Sequence, residues 1–184
     1  MIESTAMARR RRVAETTDGL DFEPFFSTQY LKLVRLVWAL TGRFDLAEEH
    51  VQEAFLTAHR RWSRVSQLDQ PTAWMRRVVT NRCVSSARRR ATEARLLVRL
   101  SSRPSVPIEV PEPAEELWAA VRRLPRRQAQ VIALVYVDDL AIKDVASVLE
   151  CSEPTARTHL RRGREALASM LGLNLGEGED VSFG

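Results

Sequence analysis

The chain has 184 residues, which is enough for one domain or for two small domains that each bury a modest core. It carries 28 basic and 24 acidic residues, a net charge of +4, and every basic residue except Lys32 and Lys143 is arginine. Two distant cysteines, Cys83 and Cys151, argue against a disulfide framework and a four-ligand zinc site. Neither a membrane span of ~20 apolar residues nor a signal peptide is present, so we expect a cytoplasmic protein without membrane insertion.

An N-terminal block of three helices follows a polar start. Residues 1–20 lack apolar periodicity, which is typical of a disordered arm. "FEPFFSTQYLKLVRLVWALTG" repeats apolar residues at three- and four-residue steps, and Gly42 supplies a stop. "DLAEEHVQEAFLTAHRRW" predicts a second helix whose buried stripe is Leu46, Val51, Ala54, Phe55 and Ala58. A third helix follows Pro71, and its inward positions are Trp74, Val78, Val79 and Cys83. Together these helices predict a domain over residues 21–92.

A proline-rich stretch separates this block from a second one. "LSSRPSVPIEVPEPAEE" predicts an extended or irregular linker over residues 93–113, because proline lacks the backbone donor and breaks helix interiors. The second block, residues 114–172, predicts four helices, the second of which begins at Pro125. Residues 173–184 form a short polar tail. Strand alternation is absent from the pattern, so the predicted fold is all-α, with two small helical domains joined by an extended linker.

The stretch "DVASVLECSEPTARTHL" fits a helix-turn-helix, which needs a short helix, a tight turn and a second helix. Ser152 is placed as the N-cap of the second helix, and Pro154 lies in the first turn, where no intrahelical donor is lost. The apolar stripe of that helix is Ala156, Leu160, Gly163, Leu167 and either Met170 or Leu171.

The opposite side of this helix is rich in arginine. In a helix-turn-helix the N-terminal half of the second helix enters the major groove. Arg157, Thr158 and Arg161 would then be nearest the base edges, while Arg162 and Arg164 would hold phosphates. The alternative is a surface helix whose arginines only keep it soluble. The turn, the cap and the facing pattern together favour DNA recognition.

Two blocks of the chain resemble bacterial extracytoplasmic-function sigma factors of the sigma-70 family. "LPRRQAQVIALVYVDDLAIKDVASVLECSEPTARTHLRRGREAL" is similar to the family's region 4. "DLAEEHVQEAFLTAHRRW" and "PTAWMRRVVTNRCVSSARRR" are similar to region 2. The shared region 2 marks are Val51-Gln52-Glu53, Phe55, Trp62, Ala73-Trp74 and Asn81. The resemblance extends from about residue 22 to residue 171.

The resemblance implies an initiation factor that is not an enzyme, needs no cofactor or metal, and directs core RNA polymerase to promoter DNA. Region 4 is expected to recognise the −35 element as duplex through Ser152, Thr155, Arg157, Thr158, Arg161 and Arg162. Region 2 is expected to hold the −10 element as an opened single strand through Arg76, Arg77, Asn81 and Arg88. An amide can pair with a Watson–Crick edge while arginines hold the backbone of an unstacked strand.

The same resemblance assigns partners to other surfaces. Glu49, Gln52, Glu53 and Phe55 map to the polymerase-binding surface that meets the β′ clamp helices, and region 4 is expected to meet the β flap. Carboxylates on a partly apolar helix suit a basic partner surface. An anti-sigma factor is a further candidate partner. For Asn81, Arg88 and the acidic side alike, an ordinary solvated helix surface is the alternative.

The sequence departs from the family pattern at three positions. Glu150 stands where the turn usually has glycine, Pro154 stands where glycine is common, and His50 replaces an apolar residue. Two other classes of protein remain as alternatives: a free-standing helix-turn-helix regulator, and an anti-sigma or adaptor protein that binds polymerase without DNA. The region 2 marks argue against the first class, and the basic second helix argues against the second.

Overall fold

The computed structural model describes residues 20–94 and 112–173, with side chains over 20–83 and 115–173. These residues form eight α-helices and no strand, which confirms the all-α prediction. The N-terminal domain consists of α1 (Phe22–Thr41), α2 (Phe44–Arg60), α3 (Trp62–Val65) and α4 (Pro71–Ala94). The C-terminal domain consists of α5 (Glu112–Arg123), α6 (Arg126–Tyr136), α7 (Ile142–Leu149) and α8 (Glu153–Leu171). The predicted arm, linker and tail lie almost wholly outside the described residues.

A glycine stop ends α1 as the sequence predicts. Gly42 adopts a left-handed conformation with φ 69°, and its N–H donates to the Trp38 carbonyl at 2.7 Å. Glycine takes this conformation without the steric cost that a Cβ adds. The site is also crowded, since a Cβ on Gly42 would lie 2.8 Å from Nε of Arg122 in the C-terminal domain. The left-handed turn therefore favours glycine here, and a larger residue would also have to displace the end of the Arg122 side chain.

The core of the N-terminal domain lies between α1, α2 and α4. All five residues predicted for the stripe of α2 are buried, which confirms that periodicity. An aromatic cluster joins the helices, with the Phe55 ring 4.8 Å from Phe26 and 6.2 Å from Phe25 and Phe22. Trp62 of α3 completes it, 5.1 Å from Phe22. Aromatic pairs in such edge-on geometries contribute about 0.5–1.5 kcal/mol beyond their burial.

The helix α1 is buried on a second side that the sequence analysis did not predict. Leu36 and Ala39 are almost fully buried, although they lie away from the predicted apolar face. The reason is that α5 and α6 of the C-terminal domain pack against α1 from that side. Complete burial of one leucine stabilises a fold by about 1.5–3 kcal/mol. This second contact of α1 therefore contributes substantially to the stability of the protein.

The inward face of α4 differs in part from the prediction. Val79 and Cys83 are buried as expected, and Met75, which was not predicted, is fully buried. Trp74 and Val78 are only half-buried. The helix packs against α1 and α2 on one side and against α7 on another, so its apolar positions are spread around the axis.

The C-terminal domain has a second core between α5, α6 and α8. Val121, Leu124, Ile132 and Leu167 form its centre. Pro125 is the N-cap of α6 rather than its first residue, and its carbonyl accepts from the N–H of Gln128 at 2.9 Å. Helix α5 begins at Glu112, two residues before the predicted start, because a proline in the first turn loses no helical hydrogen bond.

Candidate nucleic-acid interface

The helix-turn-helix is formed by α7, a short turn and α8. Ser152 is the N-cap of α8, and its hydroxyl oxygen accepts from the Thr155 N–H at 3.3 Å, as predicted. The turn begins at Glu150, which has φ 51° in the left-handed region, and the N–H of Cys151 donates to the Ala146 carbonyl at 3.0 Å. Glu150 thus adopts the left-handed conformation that glycine takes more readily, at some steric cost.

One side of α8 faces the C-terminal core. Ala156, Gly163 and Leu167 are buried, which confirms most of the predicted stripe. Of the two alternatives for its end, Leu171 is half-buried and Met170 is exposed by 43%, so Met170 does not belong to the core. This packing turns the other side of the helix outward.

The six residues predicted for −35 recognition lie on that outward side. Their side chains are all exposed, and they are Ser152, Thr155, Arg157, Thr158, Arg161 and Arg162. Arg157 pairs with Glu153, and Arg161 pairs with Glu165 at 2.5 Å, both within the helix. Exposed pairs of this kind contribute little to stability, so the guanidinium groups exchange readily to DNA acceptors.

Arg164, by contrast, does not belong to this surface. It is half-buried, its Nε donates to the Tyr136 hydroxyl at 2.7 Å, and its guanidinium lies 5.7 Å from the centre of the Tyr136 ring. The prediction that Arg164 holds phosphates alongside Arg162 is therefore wrong for this arrangement. Its role here is to fasten α8 to α6.

The residues predicted for −10 recognition lie on α4 and face the C-terminal domain. Arg76 Nε donates to Asp138 Oδ2 at 2.6 Å, and the side chains are only 15% and 4% exposed. Arg77 pairs with Glu150 at 2.5 Å. Asn81 is exposed, and its Oδ1 accepts from Nη2 of Arg126 at 2.8 Å. The structure thus brings these three together, while the side chain of Arg88 lies outside the described residues.

A cavity of about 390 Å³ adjoins this group at the start of α4. The segment from Asp69 to Ala73 lines one side together with Arg76. Leu140, Asp144 and Val148 of the C-terminal domain line the other. The cavity therefore has this shape only while the two domains are packed together.

The acidic side of α2 presents a separate surface, which we call the acidic face of α2. Glu49, Gln52 and Glu53 are exposed there, and Glu53 pairs with Arg82 of α4. Phe55 is only 3% exposed within the aromatic cluster, so its predicted direct contact with a partner is incompatible with its burial. Leu56, which was not among the predicted residues, is 56% exposed beside Gln52 and Glu53. The sequence feature that could have identified Leu56 is its place one helical turn after Gln52 and outside the predicted buried stripe of α2.

The described residues also limit other kinds of site. None of their helices has the length and apolar character that a membrane crossing requires. Over the same residues, no group of three or more His, Cys, Asp or Glu side chains is arranged to hold a metal ion. Burial raises the pKa of the Cys83 thiol to about 12, which keeps it protonated and unreactive.

The fold and its two polar surfaces define a two-domain helical protein of the DNA-binding class, and comparisons with known proteins are consistent with this. Residues 26–93 match the family model of Sigma-70 region 2, and residues 114–167 match Sigma-70 region 4. The ECF RNA polymerase sigma factor SigM of Mycobacterium tuberculosis is 27% identical over 170 residues, covering 86% of this chain and 82% of SigM. SigW of Bacillus subtilis is 24% identical over 155 residues, covering 76% of this chain and 83% of SigW.

Solved structures share the fold. The sigma factor RpoE of Bartonella quintana, in complex with the anti-sigma factor NepR, aligns with a TM-score of 0.65 at 20% identity, covering 83% of this chain and 99% of RpoE. CnrH, in complex with the cytosolic domain of CnrY, aligns with a TM-score of 0.58 at 17% identity, covering 82% and 87%. The chain belongs to the sigma-70 family, in its extracytoplasmic-function group, and is an RNA polymerase sigma factor.

Proposed function

We propose that the two polar surfaces divide promoter recognition between them: α8 recognises the −35 element as duplex, and α4 holds the −10 element as an opened single strand. The observation that carries the proposal is the placement of two arginine-bearing surfaces on separate domains, each within a matched sigma region. One surface is on the second helix of a helix-turn-helix, and the other is on a helix with an exposed amide.

The duplex side of the proposal follows from the geometry of α8. Its capped N-terminal half carries Arg157, Thr158 and Arg161 on the outward side, the part that enters a major groove in this motif. An arginine donates two hydrogen bonds to a guanine edge, and each such contact discriminates by about 1–3 kcal/mol. Arg162, Thr155 and Ser152 surround these residues and suit phosphate oxygens.

The single-strand side requires different chemistry. A melted strand offers unstacked base edges and a charged backbone. Asn81 supplies an amide that can both donate and accept, and Arg76 and Arg77 supply cations one helical turn before it. Arg88 lies further along the same helix and would hold the backbone beyond. On this basis α4 would act once the C-terminal domain no longer covers it.

We assign the acidic face of α2 to core RNA polymerase, with Glu49, Gln52 and Glu53 meeting the β′ clamp helices. Leu56 would supply an apolar anchor within this charged set. Phe55 would contribute indirectly, by holding α2 to α1. The β flap is the proposed partner of the C-terminal domain. One solved structure of similar fold is a complex with an anti-sigma factor, so we include such a partner for this chain.

In this proposal the protein initiates transcription with core polymerase in the cytoplasm, has no catalytic activity of its own and needs no cofactor. The test is run-off transcription with purified core polymerase on genomic fragments. We expect transcripts that start at defined promoters only when the protein is present. Duplex DNA binding without any promoter-dependent transcript would contradict the proposal and favour a free-standing regulator.

A further inference from the structure

Arg82 connects α4 to the acidic face of α2 within the N-terminal domain. Its Nη1 pairs with the Glu53 carboxylate, and its Nη2 donates to the Thr57 hydroxyl at 3.4 Å. The Thr57 hydroxyl in turn donates to the backbone carbonyl of Glu53 at 2.9 Å. One guanidinium therefore contacts two residues that lie one turn apart on α2, and Glu53 takes part in two of these three hydrogen bonds.

The buried contact between α2 and α4 determines where this ion pair lies. Ala54 of α2 and Cys83 of α4 are buried in the same hydrophobic core. Glu53 immediately precedes Ala54, and Arg82 immediately precedes Cys83. A residue next to a buried position points about 100° away around the helix axis, which places it at the edge of the helix contact. The core therefore holds the two charged side chains beside each other.

The pair itself contributes little to folding. The side chains of Arg82 and Glu53 are 36% and 51% exposed, so water screens their attraction. We therefore expect the N-terminal domain to fold without the Arg82 guanidinium. The main consequence of the pair is conformational, because it confines Glu53 to one arrangement while that side chain stays accessible to a partner.

A glutamate that is already held in place binds a partner at a lower entropic cost. Long side chains lose rotamer freedom when they are immobilised in an interface, and this loss weakens association. Arg82 restricts Glu53 before polymerase arrives. A carboxylate has about four acceptor sites on its two oxygens, so Glu53 can keep Arg82 and still accept a hydrogen bond from a partner.

The charge of Arg82 acts in the opposite direction. A guanidinium beside the acidic face of α2 reduces the negative potential that attracts a basic partner. If charge alone mattered, removal of Arg82 would strengthen polymerase binding, most of all at low salt. Positioning of Glu53 predicts weaker binding at both low and high salt. The two effects thus differ in sign, and a binding measurement separates them.

We propose that Arg82 is a positioning residue for polymerase binding, which fixes Glu53 on the acidic face of α2 and acts through that carboxylate. This inference rests on the proposed function of that face. Arg82 thereby belongs to the polymerase-binding machinery, although it lies on α4, the helix that we assign to the −10 strand.

The test measures the affinity of the full-length protein for core polymerase by fluorescence anisotropy, with Arg82→Gln as the variant. We expect the dissociation constant to rise about three- to tenfold, since one more long side chain must be ordered on binding. The rise should persist at low and high salt. Unchanged or tighter binding by the folded variant would overturn the proposal.

A double-mutant cycle shows whether Arg82 acts through Glu53. Glu53→Ala should weaken polymerase binding by itself. In that background Arg82→Gln should have no further effect, because there is no carboxylate left to position. Additive losses would mean that Arg82 contacts a partner directly, and the proposal would then be wrong.

Arg82→Lys keeps the charge and replaces Arg82→Gln if that variant does not fold. Lysine lacks the planar fork that reaches Glu53 and Thr57 together, so we expect a loss of about twofold in affinity. Wild-type affinity in this variant would show that charge suffices, which contradicts the proposal.

Arg35→Gln is the matched control. Arg35 is an exposed arginine of α1 outside the acidic face of α2, and its substitution removes the same charge from the same domain. We expect it to bind polymerase as the wild-type protein does. A loss equal to that of Arg82→Gln would show that the effect is not specific to Arg82 and would overturn the proposal.

Run-off transcription separates positioning from strand binding. Arg82 follows Asn81 on α4, so a direct contact with the −10 strand would make the variant defective even at saturating core polymerase. Positioning predicts a loss at limiting polymerase and normal transcription at saturation. A defect at saturation together with wild-type affinity for polymerase would overturn the proposal.

The same measurements distinguish this inference from the proposed function. If Glu53→Ala weakens polymerase binding and Arg82→Gln does not, only the positioning role fails. If Glu53→Ala binds polymerase as the wild-type protein does, the assignment of the acidic face of α2 to polymerase fails, and the positioning role fails with it.

Discussion

Helices α4 and α8 both display arginines, yet their surroundings are opposite. Arg157 and Arg161, which face outward on α8, pair with glutamates of their own helix. Those at the start of α4 bind carboxylates and carbonyls of the other domain. Residue types alone therefore do not determine which of the two surfaces is accessible. Tertiary packing decides it, because one guanidinium serves protein and nucleic-acid acceptors equally well.

The largest expected effect comes from the exposed helix. Arg157→Ala with Arg161→Ala should abolish discrimination between a matched and an altered −35 element, at about 1–3 kcal/mol for each lost base contact. Competitive run-off transcription on the two templates measures it. The control is Arg35→Ala with Arg123→Ala, two exposed arginines outside both proposed DNA surfaces. Retained −35 preference in the first variant would remove α8 from the interface.

The second prediction concerns the covered helix. Asn81→Ala should weaken promoter opening and alter −10 preference by about 1–3 kcal/mol when core polymerase is present, while polymerase binding itself survives. A fluorescent base analogue in the −10 region reports opening. Normal opening by this variant would exclude Asn81 from the site.

A smaller effect is expected from the N-cap of α8, which contributes to the stability of that helix. Ser152→Ala removes the N-cap of α8 and should lower the free energy of unfolding by about 0.5–2 kcal/mol. Ser169→Ala removes an exposed serine from the same helix and should change it by less than about 0.5 kcal/mol. Thermal unfolding of both variants gives the difference. Equal stabilities would mean that the cap contributes nothing.

The smallest expected effect is a difference in chemical modification between the two cysteines. Cys83 is buried in α4, and burial raises its pKa to about 12, whereas Cys151 is half-buried in the turn before α8. Iodoacetamide at pH 8 should therefore modify Cys151 alone in the native protein, since alkylation needs an accessible thiolate. Mass spectrometry counts the adducts, and denaturant should expose the second. Equal native rates would contradict the packing of α4.

Local features were predictable from the sequence because local physics specifies them. The cap at Ser152, the stop at Gly42 and the stripe of α2 follow from hydrogen-bonding chemistry and helical periodicity, and all three are present. The outward face of α8 followed in the same way. The assignment of Phe55 to a partner surface failed because family resemblance marks a position without saying whether it is buried.

The contact between the domains could not be predicted. Arg76 and Asp138 lie 62 residues apart, and nothing in either neighbourhood selects the other as a partner. From the sequence, Gln130 resembles a surface residue and Leu36 a surplus apolar residue, and each is buried once the two domains pack together. Departures from the family pattern were the one available signal, since Glu150 is both an unexpected residue and part of the contact.

Gly163 sets how closely α8 packs against α6. A Cβ at this position would lie 3.1 Å from Cγ1 of Ile132, so Ile132 or α8 would have to shift by a few tenths of an ångström to accept one. Arg161 and Arg162 immediately precede Gly163, so a shift of α8 at this contact would move both of them together. Gly163, on the buried side of α8, therefore helps to set the position of the arginines that we propose to contact promoter DNA.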